Sequence, residues 1–512
     1  MLVKTYGSTI LGIDAITITV EVNIDKGVNF MLVGLPDSAV KESHQRIESA
    51  LKYNGYKLPG KKIVINMAPA DLRKEGSAYD LPIAMGLLAA SEQIKKDHVG
   101  SFIVMGELSL DGTLKPIKGA LPIAIQARRE GFRGLIVPKG NVMEAAIVND
   151  LEVYGAEGIK EVISVLNDES TIQPVKVNTR EAFFNGIRNY EFDFSDVKGQ
   201  ENIKRALEIS AAGSHNVLLI GPPGAGKTML ARRLPSILPP LHLQEALETT
   251  KIHSVAGKLR RREGLITVRP FRSPHHTISD VALVGGGSYP QPGEISLAHN
   301  GVLFLDELPE FKRTVLEVMR QPMEERRVTI SRARFSVDYP ASFMLIASMN
   351  PCPCGFYNHP EKECVCGSGV VQKYLNKISG PLIDRIDIHI EVTPVPYKEL
   401  SSTRDSERSH QVRERVINAR KVQEARFSEQ EGIYCNAHMS SRALRQFCQT
   451  DAAGSAILKN AMEKLGLSAR AYDRILKVSR TIADLEGEPN IKAHHMAEAI
   501  HFRSLDRKNW GG

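Results

Sequence analysis

One segment of the sequence constrains the fold more than any other. Its residues are Gly221, Pro222, Pro223, Gly224, Ala225, Gly226, Lys227 and Thr228. They fit the pattern G-x-x-x-x-G-K-[ST], and the apolar run that includes residues 216–220 is typical of a buried strand. Glycines let the backbone N–H groups of such a loop turn toward phosphate oxygens, and the helix that follows adds its positive end. We therefore predict a strand–loop–helix unit in which Lys227 reaches the β- and γ-phosphates of a nucleotide and Thr228 holds Mg²⁺.

Two carboxylates follow a second apolar run. Residues 302–305 have the composition of a buried strand, and Asp306 and Glu307 come directly after it. We expect Asp306 to contact the Mg²⁺ ion and Glu307 to polarise the attacking water as the catalytic base. Paired acids also occur where a solvated loop begins, but the phosphate loop upstream favours the metal site.

A third apolar run, residues 343–348, leads to Asn350. The amide of Asn350 can hydrogen-bond the attacking water or the γ-phosphate, although Asn-Pro by itself only indicates a turn. Apolar strands separated by helix-compatible segments predict a parallel sheet with helices on both faces. The fold class that we predict is α/β.

The composition is that of an ordinary globular protein, with 42% apolar and 24% charged residues among 512. The pattern divides into an α/β domain at residues 1–170, a linker at 171–192, a central domain at 193–395, a charged helical linker at 396–430 and a helical domain at 431–512. The longest apolar run, residues 81–90, is half of the ~20 residues that a membrane helix needs. We expect a cytoplasmic protein with no membrane partner.

Four of the six cysteines form a C-x-C-x9-C-x-C cluster: Cys352, Cys354, Cys364 and Cys366. Clustered thiols in a cytosolic chain favour tetrahedral Zn²⁺ over disulfides. The C-x-C spacing is tighter than that of the usual C-x-x-C site. A Gly- and Pro-rich loop with reduced thiols therefore remains the alternative.

Two segments are rich in positive charge. Residues 251–280 hold seven cations, Lys251, Lys258, Arg260, Arg261, Arg262, Arg269 and Arg272, against two acids. The second segment contains Arg326, Arg327, Arg332 and Arg334. Such cations can follow a phosphate backbone without reading bases, whereas an ion-paired solvated face is the alternative for any one of them. We expect His275 and His276 to be turn or interface residues rather than metal ligands.

Several motifs together are similar to those of a known family. They are residues 34–37 (GLPD), 68–74 (APADLRK), 106–108 (GEL), 221–228, 271–276 (FRSPHH) and 350–355 (NPCPCG). Over nearly its whole length the chain resembles the magnesium-chelatase-like AAA+ ATPases of the YifB/ComM type. The resemblance implies a homo-hexameric ring that hydrolyses ATP with Mg²⁺. It also implies a DNA helicase that promotes branch migration in homologous recombination, with single-stranded or branched DNA as its partner. The alternative is a chelatase-like ATPase that remodels a protein.

The resemblance also implies an architecture and roles for further residues. It predicts a Lon-protease-like (S5-like) amino-terminal domain, a central P-loop AAA+ domain and a carboxyl-terminal helical lid. Asn350 is similar to sensor 1, and Arg470 is similar to sensor 2, which reaches the nucleotide from the lid. Arg385 resembles an arginine finger that completes the site of a neighbouring subunit, with a surface ion pair as the alternative. Ala78 and Leu121 stand where Lon has its serine and lysine, so we expect no peptidase activity.

Overall fold

A seven-stranded mixed sheet forms the amino-terminal part of the computed structural model, with helices packed against it. The structure describes residues 2–186, 190, 192–260, 264–287, 289–332, 335–357, 359, 361–396, 406–430 and 432–503. The amino-terminal elements are β1 (Leu2–Leu11), β2 (Asp14–Asp25), β3 (Asn29–Val33), α1 (Ser38–Lys41), α2 (Ser43–Tyr53), β4 (Lys62–Ala68), α3 (Asp80–Ala90), β5 (Phe102–Val104), β6 (Glu107–Leu108), β7 (Leu114–Lys115), α4 (Ala120–Arg129), β8 (Gly134–Pro138), α5 (Val142–Ala145), β9 (Glu152–Ala156), α6 (Ile159–Leu166) and α7 (Thr179–Gly186). The strand order is β3-β4-β2-β1-β5-β8-β9.

The alternating apolar pattern of residues 16–22 forms part of β2, which pairs antiparallel with β1. Ile18, Val20 and Val22 are fully buried because successive side chains of a strand point to opposite faces. The apolar run of residues 81–90 lies in α3, where every residue is buried within the domain. Among the described helices, none has the length and apolar character that crossing a membrane requires.

The central part is built on a five-stranded parallel sheet with the order β11-β14-β17-β10-β18. Its elements are α8 (Glu201–Gly213), β10 (Val217–Ile220), α9 (Lys227–Arg233), α10 (Leu243–Val255), β11 (Phe271–Arg272), α11 (Asp280–Val284), β12 (Gly285–Gly286), β13 (Gln291–Pro292), α12 (Glu294–Leu297), β14 (Val302–Leu305), α13 (Arg313–Glu317), α14 (Arg320–Glu325), β15 (Arg327–Arg332), β16 (Phe335–Pro340), β17 (Met344–Met349), α15 (Ser368–Leu375), α16 (Gly380–Ile383) and β18 (Ile388–Glu391). The three apolar runs of the sequence are the central strands β14, β17 and β10, so the predicted parallel sheet is confirmed. Their carboxyl ends share one edge of the sheet.

The carboxyl-terminal part is helical, as predicted. Its helices are α17 (Ser409–Phe427), α18 (Ser441–Phe447), α19 (Ala452–Leu465), α20 (Ala469–Leu485) and α21 (Ala493–His501). Although α17 is densely charged, it buries Val412, Val416, Ala419 and Phe427 in the core that α8 and α20 share. Residues 397–405 of the predicted linker lie outside the described part of the chain.

The amino-terminal and central parts share one hydrophobic core. Leu121 and Ile147 of the first pack in the same buried cluster as Leu241 and Leu265 of the second. Backbone hydrogen bonds also cross the boundary, since Gly119 N–H donates to the carbonyl oxygen of Ser254 at 3.0 Å. The two parts are therefore joined by packing as well as by the chain.

Candidate nucleotide-binding site

The phosphate loop joins β10 to α9 at the carboxyl edge of the parallel sheet. Gly226 has φ +90°, a left-handed conformation that residues with a side chain rarely adopt, so the loop needs glycine there. Lys227 Nζ donates hydrogen bonds to the carbonyl oxygens of Gly221 (2.7 Å) and Pro222 (2.9 Å), and to Asn350 Oδ1 (3.2 Å). Burial lowers the pKa of Lys227, and the carboxylates of Asp306 and Glu307 oppose that effect. An anion bound in the loop would act like these carboxylates and favour the charged form of Lys227.

The second group of site residues follows β14. Thr228 Oγ1 donates to Asp306 Oδ2 at 2.8 Å, which brings together the two oxygens predicted to hold Mg²⁺. Ser348, on the neighbouring strand β17, donates its hydroxyl to the other carboxylate oxygen of Asp306 and receives the N–H of Glu307 at 3.4 Å. Mg²⁺ prefers oxygen ligands of this kind, so the donor set fits the ion. Ser348 lies within an apolar strand, and its sequence context gives no sign of this role.

Glu307 lies at the exposed side of the site. Its φ of +55° is unusual for a residue with a side chain, and 58% of the side chain is exposed. His276 Nδ1 lies 3.8 Å from Glu307 Oε2. Because β11 and β14 are parallel neighbours, the loop after β11 ends beside the carboxylates that follow β14. His276 is thus a candidate positioning residue for Glu307, and its expected place in a turn or an interface stays a prediction.

Arg385 lies at the opposite edge of the sheet from the phosphate loop. β18 runs parallel to β10 with Ile388 beside Val217, so the residues before β18 lie at the amino end of β10. The carbonyl oxygen of Arg385 accepts a hydrogen bond from Asn216 Nδ2 at 3.2 Å, which fixes that position. Its guanidinium is buried, pairs with Glu324 at 2.6 Å and donates to the carbonyl of Pro381. The four residues of β10 separate it from the loop of its own chain by roughly 13 Å.

Arg470 lies at the same amino edge as Arg385. Its Nη1 is 3.9 Å from Asp384 Oδ2, and 57% of the side chain is exposed. The neighbouring Arg474 pairs with the buried Asp387 at 3.0 Å, which fixes the start of α20 against this edge. Within one chain, the structure therefore separates both arginines from Lys227 instead of bringing them to its nucleotide.

Comparison with known proteins agrees with this geometry. Residues 193–400 match the family described as "Magnesium chelatase, subunit ChlI", residues 20–141 match "Subunit ChlI of Mg-chelatase", and residues 406–503 match "Magnesium chelatase, subunit ChlI C-terminal". The chain is 45% identical over 505 residues to competence protein ComM of Haemophilus influenzae, which covers 98% of this chain and 97% of that protein. This chain belongs to the YifB/ComM-type magnesium-chelatase-like proteins.

Two further relatives of this YifB/ComM-type chain bear on its parts. YifB of Escherichia coli is 45% identical over 499 residues, 97% of this chain and 96% of YifB. Lon protease 2 of Bacillus subtilis is 30% identical over 189 residues, 31% of this chain and 33% of that protein, so the predicted Lon-like similarity is confirmed. The family is that of AAA+-type ATPases, which is consistent with a site for ATP and Mg²⁺.

The cysteine cluster of this YifB/ComM-type chain is assembled. The Sγ atoms of Cys352 and Cys354 are 3.3 Å apart, and Cys364 Sγ lies 3.7 and 3.6 Å from them. All four Sγ atoms, including that of Cys366, lie within 4.8 Å of one another. Zn–S bonds of ~2.3 Å give a tetrahedron with edges of about 3.8 Å. The four thiols are therefore spaced as ligands of one zinc ion would be.

Several of the predicted cations are ion-paired within the chain. The pairs are Lys251 with Asp14, Arg269 with Glu245, Arg272 with Glu294, and Arg327 with Glu325 and Asp338. Arg326 donates to the carbonyl of Gly432 and lies 3.0 Å from His438 Nδ1. Arg261, Arg262 and Arg334 lie outside the described residues, as does the side chain of Arg332. The ion-paired alternative thus holds for many of these cations individually.

A cleft between the amino-terminal and central parts is lined by several of these cations, both ion-paired and exposed. This cationic cleft, of about 980 Å³, is lined by Arg232, Lys258, Arg260, Arg269 and Arg272, with the aromatic rings of Tyr190, Phe192 and Phe271. Among the described residues that line it, none is a carboxylate. Arg232, Lys258 and Arg260 are exposed. The cleft therefore brings positive charge and aromatic side chains together, the combination that single-stranded nucleic acids bind.

Proposed function

We propose that this chain is a cytoplasmic, ATP-hydrolysing ring motor that acts on DNA. One observation carries the proposal. The groups that would bind and cleave the nucleotide lie at one edge of the parallel sheet, whereas Arg385 and Arg470 lie at the other edge. A head-to-tail arrangement of protomers brings unlike edges together, and it forms a ring when the rotation between protomers closes. With the family resemblance, the proposed assembly is a homo-hexamer with ATP at each interface.

The geometry supports a proposed role for each residue of the site. Lys227 would turn from the loop carbonyls toward the β- and γ-phosphates, and Asn350 would hold the lysine or the attacking water. Glu307, which lies 3.8 Å from His276, would accept a proton from that water. Thr228 and Asp306 would hold Mg²⁺, which supplies positive charge against the phosphates when bound.

Completion of the site requires a change at the opposite edge. Arg385 is buried and paired with Glu324, so it must leave that carboxylate to reach a neighbour's nucleotide. Arg470 is exposed and only weakly held by Asp384 at 3.9 Å. Guanidinium groups stabilise the charge that develops on the transferred phosphoryl group. Assembly would therefore activate hydrolysis, because Arg385 would leave Glu324 and contact the phosphate bound by the neighbouring protomer.

The cationic cleft supports DNA as the partner. Exposed cations release counterions when they bind phosphates, and aromatic rings stack on bases whatever the sequence. The relative from H. influenzae is named a competence protein, and the YifB/ComM resemblance implies branch migration during recombination. The proposed activity is that of a helicase on single-stranded or branched DNA. The alternative is a chelatase-like ATPase that remodels a protein partner, and the matches to magnesium chelatase subunits are consistent with it.

The experiment compares ATP hydrolysis with and without single-stranded and forked DNA. The variant Arg232→Glu/Lys258→Glu reverses two charges of the cationic cleft, and Arg128→Glu, exposed outside the cleft, is its matched control. We expect DNA to stimulate the wild type and the control, and the double variant to lose at least tenfold in DNA affinity at low salt. Without any DNA binding or stimulation the helicase proposal fails, and the protein-remodelling alternative stands.

The domain division, the absence of the Ser–Lys dyad and the zinc site are also proposals. We propose a domain division at residues 1–170, 193–395 and 431–512, with a Lon-like first domain that lacks the Ser–Lys dyad. Leu121 is buried in the shared core and Ala78 packs against that core, which supports that absence. We also propose Zn²⁺ at the cysteine cluster, on the spacing of its sulfur atoms. Metal analysis of the purified protein should find about one zinc per chain.

A further inference from the structure

The cysteine cluster lies beside the phosphate loop. Cys352 comes two residues after Asn350, whose amide accepts a hydrogen bond from Lys227. Gly355, in the turn that follows Cys354, lies against the ring of Pro223 at the tip of the phosphate loop. A Cβ added to Gly355 would stand 2.5 Å from Pro223 Cδ, closer than Cβ atoms come to any neighbour. There is therefore no room for a side chain between Gly355 and Pro223.

The contact is part of a continuous surface. Gly221 and Pro222 line a small cavity together with Pro351, Gly355 and Tyr357 of the segment that carries the cysteines. The N–H of Gly221 donates to the carbonyl oxygen of Met349 at 3.2 Å, which ties the start of the phosphate loop to the strand before Asn350. One side of the phosphate loop thus rests on the segment of residues 349–357.

The cysteines are what would hold that segment in place. Residues 352–366 contain no helix or strand among the described residues, so few backbone hydrogen bonds fix their conformation. One ion bound by Cys352 and Cys354 at one end and by Cys364 and Cys366 at the other would close this segment into a loop. Metal binding supplies folding free energy directly to small sites of this kind.

Gly355 also has a backbone conformation that favours glycine. Its φ is +84°, in the left-handed region, and its N–H donates to the carbonyl oxygen of Cys352 at 3.0 Å. The turn that presents Gly355 to Pro223 therefore begins at a proposed zinc ligand. A change in the position of Cys352 or Cys354 would move the turn away from the phosphate loop.

We infer that zinc bound by the four cysteines sets the affinity of the nucleotide site by holding Gly355 against Pro223. The inference rests on the proposed zinc and on the proposed ATP site. Pro223 belongs to the loop whose N–H groups would surround the phosphates, so an unsupported tip leaves those groups less organised. The expected effect is a tenfold or greater rise in the Kd for ATP when zinc is lost.

The test uses the full-length protein. Zinc content is measured by mass spectrometry before chelation, after chelation and after zinc is added back, and the Kd of a fluorescent ATP analogue is measured in each state. We expect the affinity for the ATP analogue to fall when zinc is removed and to recover when zinc is added back. If zinc is bound and removed while the Kd stays constant, the inference is overturned although the zinc and ATP proposals both survive. If the protein binds no zinc, even when zinc is added, both the inference and the zinc proposal fall.

Two variants separate the contact from the metal. Gly355→Ala keeps all four thiols but introduces a Cβ that collides with Pro223, so it should weaken ATP binding while zinc content stays normal. Cys364→Ser/Cys366→Ser should lose both zinc and affinity. Val365→Ala changes the exposed residue between those cysteines and is the matched control, expected to keep both. Wild-type ATP affinity in Gly355→Ala would overturn the inference.

Discussion

Lys227 and Asn350 meet across neighbouring strands, with Nζ of the lysine 3.2 Å from Oδ1 of the asparagine. Each residue follows a strand, and the parallel register sets Ile220 beside Met349. The carboxyl ends of β10 and β17 are therefore level, and the residues beyond them meet without long loops. This relationship places the phosphate loop and the predicted sensor in one site.

Removing the charge of Glu307 should stop hydrolysis without stopping nucleotide binding. Glu307→Gln keeps the shape of the side chain but cannot accept the proton of the attacking water, and a general base contributes about 10²- to 10⁴-fold. The measurement is steady-state ATP hydrolysis beside the Kd for ATP. Glu310→Gln, which changes an exposed acid paired with Lys377, is the control. A turnover within threefold of wild type would remove Glu307 from its proposed role.

His276 should affect turnover through Glu307. We expect His276→Ala to lower kcat roughly tenfold and to leave the KM for ATP unchanged, because the imidazole contacts the carboxylate and not the phosphate loop. His276→Asn keeps a polar group near the carboxylate and should recover part of the rate. The neighbouring His275 bonds to Thr277, so His275→Ala is the matched control. Equal losses in the two alanine variants would indicate a structural role for the pair.

Arg385 and Lys227 should complement each other between chains. Lys227→Ala and Arg385→Ala should each be inactive alone, since an arginine of this type is worth about 10³- to 10⁵-fold. Random mixing of the two variants gives about a quarter of the interfaces an intact lysine and an intact arginine. ATP hydrolysis should therefore reappear in the mixture. Arg385→Ala mixed with the double variant is the control and should stay inactive, and a mixture as inactive as its components would exclude action in trans.

Acid should destabilise the junction between the central and carboxyl-terminal parts. His215 is fully buried, and its Nε2 lies 2.8 Å from Thr481 Oγ1 on α20. Burial lowers the pKa of His215 to about 4, and nearby Asp387 opposes that effect. Because the folded pKa lies below the ordinary value of ~6.5, the neutral histidine contributes its full stability above that value and loses it as the pH falls toward 4.

The expected loss is about 1 kcal/mol at pH 5.5 relative to pH 7.5. His389 and His438, whose pKa values burial also lowers, act in the same direction, so the comparison must be made between variants. His215→Gln should show a smaller fall of the thermal midpoint with acid than wild type does. His44→Gln, on the partly exposed face of α2, is the control. Identical pH dependence in all three proteins would show that His215 does not cause the loss of stability in acid.

The sequence was most informative where chemistry and strand pattern coincide. Val302–Leu305 is predicted to the residue, and the carboxylates that follow it meet Thr228 as expected. Local pattern carries that information, because an apolar run defines the strand and the polar residues after it define its end. The strand predicted at residues 343–348 is one residue out of place, since β17 covers Met344–Met349.

Contacts that depend on strand order were not predictable. His276 and Glu307 are 3.8 Å apart only because β11 lies beside β14, and nothing near either residue indicates that neighbour. The pairing of Arg385 with Glu324 likewise depends on the fold. In α17, charge density concealed the buried positions Val412 and Val416, whose spacing of four is that of one helix face.

The core that Leu121 and Leu241 share also governs how the molecule can move. Ser254, near the end of α10, accepts hydrogen bonds from the N–H groups of Gly119 and Leu121, at the first turn of α4. A tilt of α10 during a cycle of hydrolysis would thus be passed directly to the amino-terminal sheet. The amino-terminal part would therefore move together with the central part rather than independently of it.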